Sequence, residues 1–316
     1  VNLPPMESFN SRLSQQITAK QSWLCVGLDI NPENLAIENP TLDDLKTHTK
    51  KVIDATREFA TAYKPNLAFF ERWGSAGFVW LEETMEYIGN EPITIGDAKR
   101  GDIGHTATQY ARSLFDHFGF DAVTLNPYMG RDAIDPFIQN PEKGVFILCK
   151  TSNKSGGDLQ NLNVNGKRLF ETVAEFCAGL NEHDNVGLVV GATVPEEIDV
   201  IRNNAPELPL LMPGVGAQGG DLETSLTAGN INGVALINIS RGISFAGDQS
   251  PEAIHATAKD YVEKMRKIIS STKIILFTPI NYTYSHKTFT IIYMNIIPFA
   301  SEITKIRTLC CVINFM

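Results

Sequence analysis

The chain has 316 residues, a formal net charge of −9, 43% hydrophobic residues and 20% charged residues. That length can bury a sizeable core and suits one large α/β domain or two small ones. The acidic balance argues against a nucleic-acid partner, which would need a basic patch, but allows an anionic small molecule held by a local Arg or Lys cluster.

The opening residues "VNLPPMESFNSRL" lack a basic stretch followed by an apolar one, so no signal peptide is expected. Apolar runs then alternate with amphipathic stretches. Eight runs read as strands: "WLCVGLD" (23–29), "ATAYKP" (60–65), "ITIGDAK" (93–99), "DAVTLN" (121–126), "VFILCK" (145–150), "VGLVVGA" (186–192), "LPLLMPG" (208–214) and "GVALINI" (233–239). Helical stretches lie between them. "TLDDLKTHTKKVIDATREF" starts on a Thr cap and carries an apolar stripe. "GFVWLEETMEYIG" stops on Gly89. "VNGKRLFETVAEFCAGL" and "PEEIDVIRNN" follow, and "SPEAIHATAKDYVEKMRKII" supplies the last helix. Strand–helix units in series predict parallel strands with right-handed crossovers, and eight of them predict a closed (β/α)8 TIM barrel over 1–271. A doubly wound open sheet is the alternative.

Two segments break the rhythm. "TSNKSGGDLQNLNVNG" (151–166) reads as a long polar loop after the fifth strand, placed where a lid could sit. Residues 272–316 are rich in Ile, Thr, Tyr and Asn and contain no Gly, so they read as an atypical appended tail of unassigned role. Pro279, Asn281, His286 and Lys287 interrupt its apolar run, so a membrane span is not expected there. The five cysteines, Cys25, Cys149, Cys177, Cys310 and Cys311, form no C-x-x-C pair and read as reduced thiols of a cytoplasmic protein. The scattered histidines offer no metal-ligand spacing, and no metal is expected.

In a barrel, residues at the strand C-terminal ends face the active site. The first three ends give Asp29, Lys64, and then Asp97 with Lys99; Asp102 lies just beyond. Two-residue alternation predicts Asp97 and Lys99 on one face. Burying several ionisable groups together is costly unless they are paired or used, so this alternation of Lys and Asp predicts a catalytic array. The seventh unit gives "PGVGAQGGD", with Gly214, Gly216 and Gly219 in G-x-G-x-x-G spacing. It follows a late strand and lacks the acidic partner of a dinucleotide site. Arg241 follows the eighth strand in "NISRGI". Gly-rich backbone plus one Arg after strands seven and eight predicts a phosphate site. His105 reads as a loop residue without catalytic duty, and Cys149 and Met212 read as core.

"GDAKRGDIGHTA" resembles the D-x-K-x-x-D signature of the orotidine 5'-monophosphate decarboxylase family. "GLDINPE", "YKPNLAFFE", "KTSN", "PGVGAQGGD" and "SRGI" resemble its bacterial subgroup in the same order, across roughly residues 8 to 268. The resemblance implies a cofactor-free decarboxylation of orotidine 5'-monophosphate to uridine 5'-monophosphate in pyrimidine biosynthesis. It implies Lys99 as proton donor, Asp97 beside the substrate carboxylate, and Lys64 and Asp102 completing the array. Asp29 and Lys64 would meet the ribose, Ser152 the pyrimidine edge, and Gln218, Gly219 and Arg241 the phosphate. It also implies a homodimer in which Asp102 and Thr106 enter the neighbouring subunit's site. Two other readings stand beside it: a non-catalytic nucleotide-binding protein, and a metal-dependent sugar-phosphate decarboxylase or aldolase of a sister group. The latter needs an acid after the second strand, where this chain has Lys64.

Overall fold

In the computed structural model the described residues are 7–192, 195–215 and 220–271, with the backbone of 273–284, 287–298 and 307–311. Eight parallel strands close a barrel: β1 Leu24–Leu28, β2 Ala62–Pro65, β3 Ile93–Arg100, β4 Ala122–Leu125, β5 Gly144–Lys150, β6 Val186–Val190, β7 Leu210–Pro213 and β8 Ala235–Ile239. Each pairs with its neighbours in sequence, and β8 pairs with β1 through Leu24↔Ile237 and Val26↔Ile239. Closure excludes the open doubly wound sheet. Every residue of β1, β2, β4, β6 and β8 is buried, as expected of parallel strands covered on both faces.

Local chemistry sets the helices that cover the strands. Helix Leu42–Thr56 begins at a capping box: Thr41 Oγ1 accepts the Asp44 amide at 3.3 Å, and Asp44 Oδ2 accepts the Thr41 amide at 2.8 Å. Helix Gly74–Ile88 ends on Gly89 at φ 74°, a backbone that glycine tolerates. Its buried Trp80 packs against Phe70 at 4.3 Å between ring centroids. Helix Pro195–Asn204 has the bounds read from its Pro start.

Two expectations need correction. The helix predicted from Val164 begins only at Leu169; the preceding residues form a small antiparallel hairpin, Asn163–Val164 with Lys167–Arg168. Gly166 at φ 89° and Asn165 at φ 53° make its turn, so the "NG" pair is the local cause. The 151–166 stretch is therefore not a plain loop, since it also holds the short helix Gly157–Gln160.

The rhythm of strands and helices also misses the helix Phe9–Lys20. It covers the strand N-terminal end, where Phe9 meets Phe146 edge-on at 6.0 Å and Arg12 pairs with Asp121 at 2.8 Å.

Contacts divide the chain into a unit of Val1–Glu263 and a unit of Lys264–Met316. In the second, Lys273–Tyr284, Lys287–Pro298 and Arg307–Cys311 form a three-stranded antiparallel sheet. No helix among the described residues is long and apolar enough to cross a membrane. Cys25, Cys149 and Cys177 are buried and free, and Met212 is buried in β7. Burial pushes the Cys25 and Cys177 thiols up to about 12, with nearby Lys64 only partly opposing it at Cys25.

Candidate active site

The C-terminal strand ends form two adjoining cavities. One, of about 500 Å³, is lined by Lys64, Asp97, Lys99, Thr124, Ser152 and Pro213, among others. The other, of about 350 Å³, is lined by Asp29, Asn31, Lys64, Asn238, Ser240 and Arg241, among others. Lys64, Asp97 and Pro213 border both, so the charged array stands where the two meet.

The array centres on Asp97. Its Oδ2 accepts from Lys64 Nζ at 2.7 Å, and its Oδ1 accepts from Lys99 Nζ at 2.5 Å and from Thr124 Oγ1 at 3.0 Å. Burial works against the Asp97 charge, but the ammonium groups of Lys64 and Lys99 outweigh it and hold the carboxyl well below the usual carboxylate range. Burial likewise opposes the Lys64 charge, and the carboxylates of Asp97 and Asp29 overcome it, raising Lys64 above the usual lysine range. Both therefore stay ionised around neutral pH.

The two lysines differ in access. The Lys64 side chain is 5% exposed and the Lys99 side chain 48%. Lys64 is thus a fixed buried charge, while Lys99 can reach a molecule in the cavity.

Strand alternation does not bring Asp97 and Lys99 together. The β3–β4 register shifts between Gly96 and Arg100, and Lys99 has a left-handed backbone at φ 47°. A non-glycine residue in that region is strained and needs surrounding support. Thr124 gives it: its Oγ1 accepts the Lys99 amide at 2.9 Å while donating to Asp97. Thr124 is a site residue that sequence reasoning missed. The only signal was a hydroxyl near the end of the fourth apolar run.

Asp102 does not join the array within this chain. Its Oδ1 accepts the amide of Ile103 at 2.8 Å, and it makes no ion pair with Lys64 or Lys99 among the described residues. Thr106 is exposed on helix Gly104–Arg112, as is His105. Ile103, Tyr128 and Met129 are also exposed, Tyr128 at 80%.

On the other side, Asp29 and Arg241 line the second cavity. Asp29 Oδ1 is buried without a hydrogen-bond partner among the described residues, as is Ser240 Oγ. Gly27 keeps the ends of β1 and β8 close, because a Cβ there would stand 2.7 Å from Ser240 Cβ. His48 secures the segment after β8, bonding Ser244 O through Nε2 at 2.7 Å and stacking on Phe245. Gln218 and Gly219, with Gly216, lie outside the described residues.

Among the described residues no group of three or more His, Cys, Asp or Glu is arranged to hold a metal ion. The two ammonium groups on Asp97 would also repel a divalent cation there.

Comparison with known proteins gives a consistent result. A sequence model of the family described as Orotidine 5'-phosphate decarboxylase / HUMPS family matches residues 22–256. The chain is 48% identical over 272 residues to a protein of Natronomonas pharaonis named orotidine 5'-phosphate decarboxylase, spanning 82% of this chain and 99% of that one. It is 44% identical over 268 residues to one of the same name from Dehalococcoides mccartyi, spanning 83% and 97%. The solved structure of Leishmania donovani OMP decarboxylase superposes with a TM-score of 0.74 at 42% identity, covering 83% of this chain and 98% of that one.

Proposed function

We propose, from the premise that this chain belongs to the orotidine 5'-phosphate decarboxylase / HUMPS family, that it converts orotidine 5'-monophosphate to uridine 5'-monophosphate in pyrimidine biosynthesis, without a cofactor. The observation that carries this reading is the Lys64–Asp97–Lys99 array, in which one ammonium is buried and one faces an open cavity.

Loss of CO2 from C6 leaves an electron pair on a ring carbon that has no electron sink. A fixed ammonium beside that carbon stabilises the developing charge and then supplies the proton. Lys99, which lines the open cavity, would perform both tasks. As the C6–carboxylate bond breaks, the pair stays on C6 and takes a proton from Lys99 Nζ, which water later restores. Asp97 keeps Lys99 oriented and stands beside the substrate carboxylate, disfavouring it relative to the transition state. Ser152 would meet the pyrimidine edge, since it borders the same cavity.

The second cavity suits the ribose phosphate. Asp29 Oδ1 lacks a partner among the described residues, and a ribose hydroxyl would relieve the cost of leaving it unpaired. Arg241, with Gln218 and Gly219 by resemblance, would hold the phosphate. Binding energy won there, away from C6, can organise the reacting end. Arg241→Ala is expected to weaken uridine 5'-monophosphate binding by about 2–4 kcal/mol, the scale for truncating one member of a desolvated charge pair. Titration calorimetry with the nucleotide and with uridine checks this. Equal losses for both would place Arg241 outside the phosphate site.

The sister-group reading, with a metal-dependent sugar-phosphate reaction, is disfavoured by Lys64 and by the two ammonium groups on Asp97. The non-catalytic reading is disfavoured by the intact array. A homodimer with shared sites accounts for Asp102 and Thr106. Both lie outside their own chain's array, where Asp102 bonds the amide of its exposed neighbour Ile103. A cytoplasmic location fits the three free buried thiols.

Residues 1–271 carry this activity and 272–316 are an appended tail. Relatives matched over nearly their whole length align with only about four-fifths of this chain. A 1–271 chain is expected to match the full chain in turnover and melting temperature. Loss of most activity, or of several degrees, would show that the tail belongs to the working fold.

A further inference from the structure

The chain leaves the barrel at Lys150, makes an excursion, and re-enters a regular helix, Leu169–Leu180, after Arg168. Lys150 lines neither cavity and has no part in the chemistry above. It is buried over the Phe170 ring, 5.6 Å from its centroid. Its Nζ donates to Asn161 Oδ1 at 3.1 Å and lies 3.5 Å from Glu197 Oε1. The same Glu197 oxygen is 3.9 Å from Arg168 Nη1. Arg168 stacks on Phe170 from 4.4 Å and also pairs with Glu171 at 2.5 Å.

Two cations flanking the excursion therefore share one carboxylate on a third element, the helix Pro195–Asn204, and Glu197 is only 9% exposed. Inside the excursion, Gln160 brackets Thr151: its Oε1 accepts the Thr151 amide at 3.0 Å and its Nε2 donates to Thr151 Oγ1 at 2.7 Å. Thr151, Ser152 and Asn153 line the cavity beside Lys99.

Resting on the proposed decarboxylase reading, we propose that Glu197 is a positioning residue. It closes the excursion from both ends and so sets Thr151–Asn153 against the pyrimidine ring of the substrate. A buried ion pair is a poor device for stability alone, since apolar residues of similar size often serve as well. Its directional geometry can select one placement of the chain. Loosening it lowers the fraction of molecules competent to bind and raises the apparent dissociation constant by the inverse of that fraction. Once bound, the reacting groups are unchanged. KM therefore rises while kcat holds.

The test compares Glu197→Gln and the double variant Lys150→Met/Glu197→Met with the wild-type chain. Apolar replacement of the whole pair keeps the volume, so the double variant covers the case in which Glu197→Gln fails to fold. The readouts are KM and kcat with orotidine 5'-monophosphate, melting temperature, and hydrogen exchange of amides 151–163. The expected result is a KM raised about tenfold with kcat within about twofold, corresponding to a competent fraction of about one tenth. Exchange in 151–163 should quicken by a similar factor, with β1–β4 amides unchanged. A fall in melting temperature with wild-type KM and wild-type exchange in 151–163 would overturn the proposal and leave the cluster a purely structural one. If the wild-type chain itself fails to turn over, the decarboxylase reading fails, and the exchange comparison still decides whether Glu197 orders the segment.

Discussion

Lys99→Ala is expected to leave a folded chain with decarboxylation reduced by on the order of 10⁴-fold or more. In the proposed reaction one side chain supplies both the cation beside the reacting carbon and the proton that quenches it, and each of those effects contributes several powers of ten in enzymes generally. The fold should tolerate the change. The Lys99 side chain is about half exposed, and Asp97 keeps both Lys64 and Thr124 as partners. Lys64 alone still favours the ionised carboxylate, so no unpaired buried charge is created. Steady-state turnover with circular dichroism on the same sample checks both halves. Activity within tenfold of wild type would remove Lys99 from the chemistry.

Mixing two inactive variants is expected to restore activity. If Asp102 serves the partner's site while Lys99 serves its own, a hybrid of a Lys99→Ala chain with an Asp102→Ala chain has one site with both lesions and one with neither. Half of the hybrid's sites should then work, whereas each parent homodimer has none. The expectation follows from the position of Asp102, which bonds its own Ile103 amide and stays out of the array that Lys64, Asp97 and Lys99 build within one chain. Co-expressing the variants with different affinity tags and isolating the doubly tagged species gives the sample. Persistent inactivity of that species would contradict shared sites.

Much of this was legible in the residues. The eight apolar runs became the eight strands, because a parallel strand covered on both faces must be apolar throughout, and such runs stand out against amphipathic helices. The charged strand ends were legible for the complementary reason, since Asp97 and Lys64 interrupt apolar runs that have no use for charge unless it is paired. What alternation could not show was the register shift in β3. It read Asp97 and Lys99 as same-face neighbours of a regular strand, whereas a left-handed Lys99 backbone pinned by Thr124 brings them together. Strain of that kind depends on a neighbouring strand and leaves no local pattern. The clasp at Glu197 was hidden for the same reason: Lys150, Arg168 and Glu197 meet only after β5 and β6 are laid side by side. The hairpin at Asn163–Arg168 was more accessible, because Asn165–Gly166 is a turn signal that an adjacent helical pattern obscured.

The most direct test is the absorbance change of orotidine 5'-monophosphate with the purified chain, run with and without exhaustive chelation and followed by identification of the product. A cofactor-free reaction at the Lys64–Asp97–Lys99 array predicts uridine 5'-monophosphate and CO2 at the same rate in both samples, and no reaction with Lys99→Ala. No turnover by the wild-type chain, or turnover that chelator abolishes and a divalent cation restores, would contradict it.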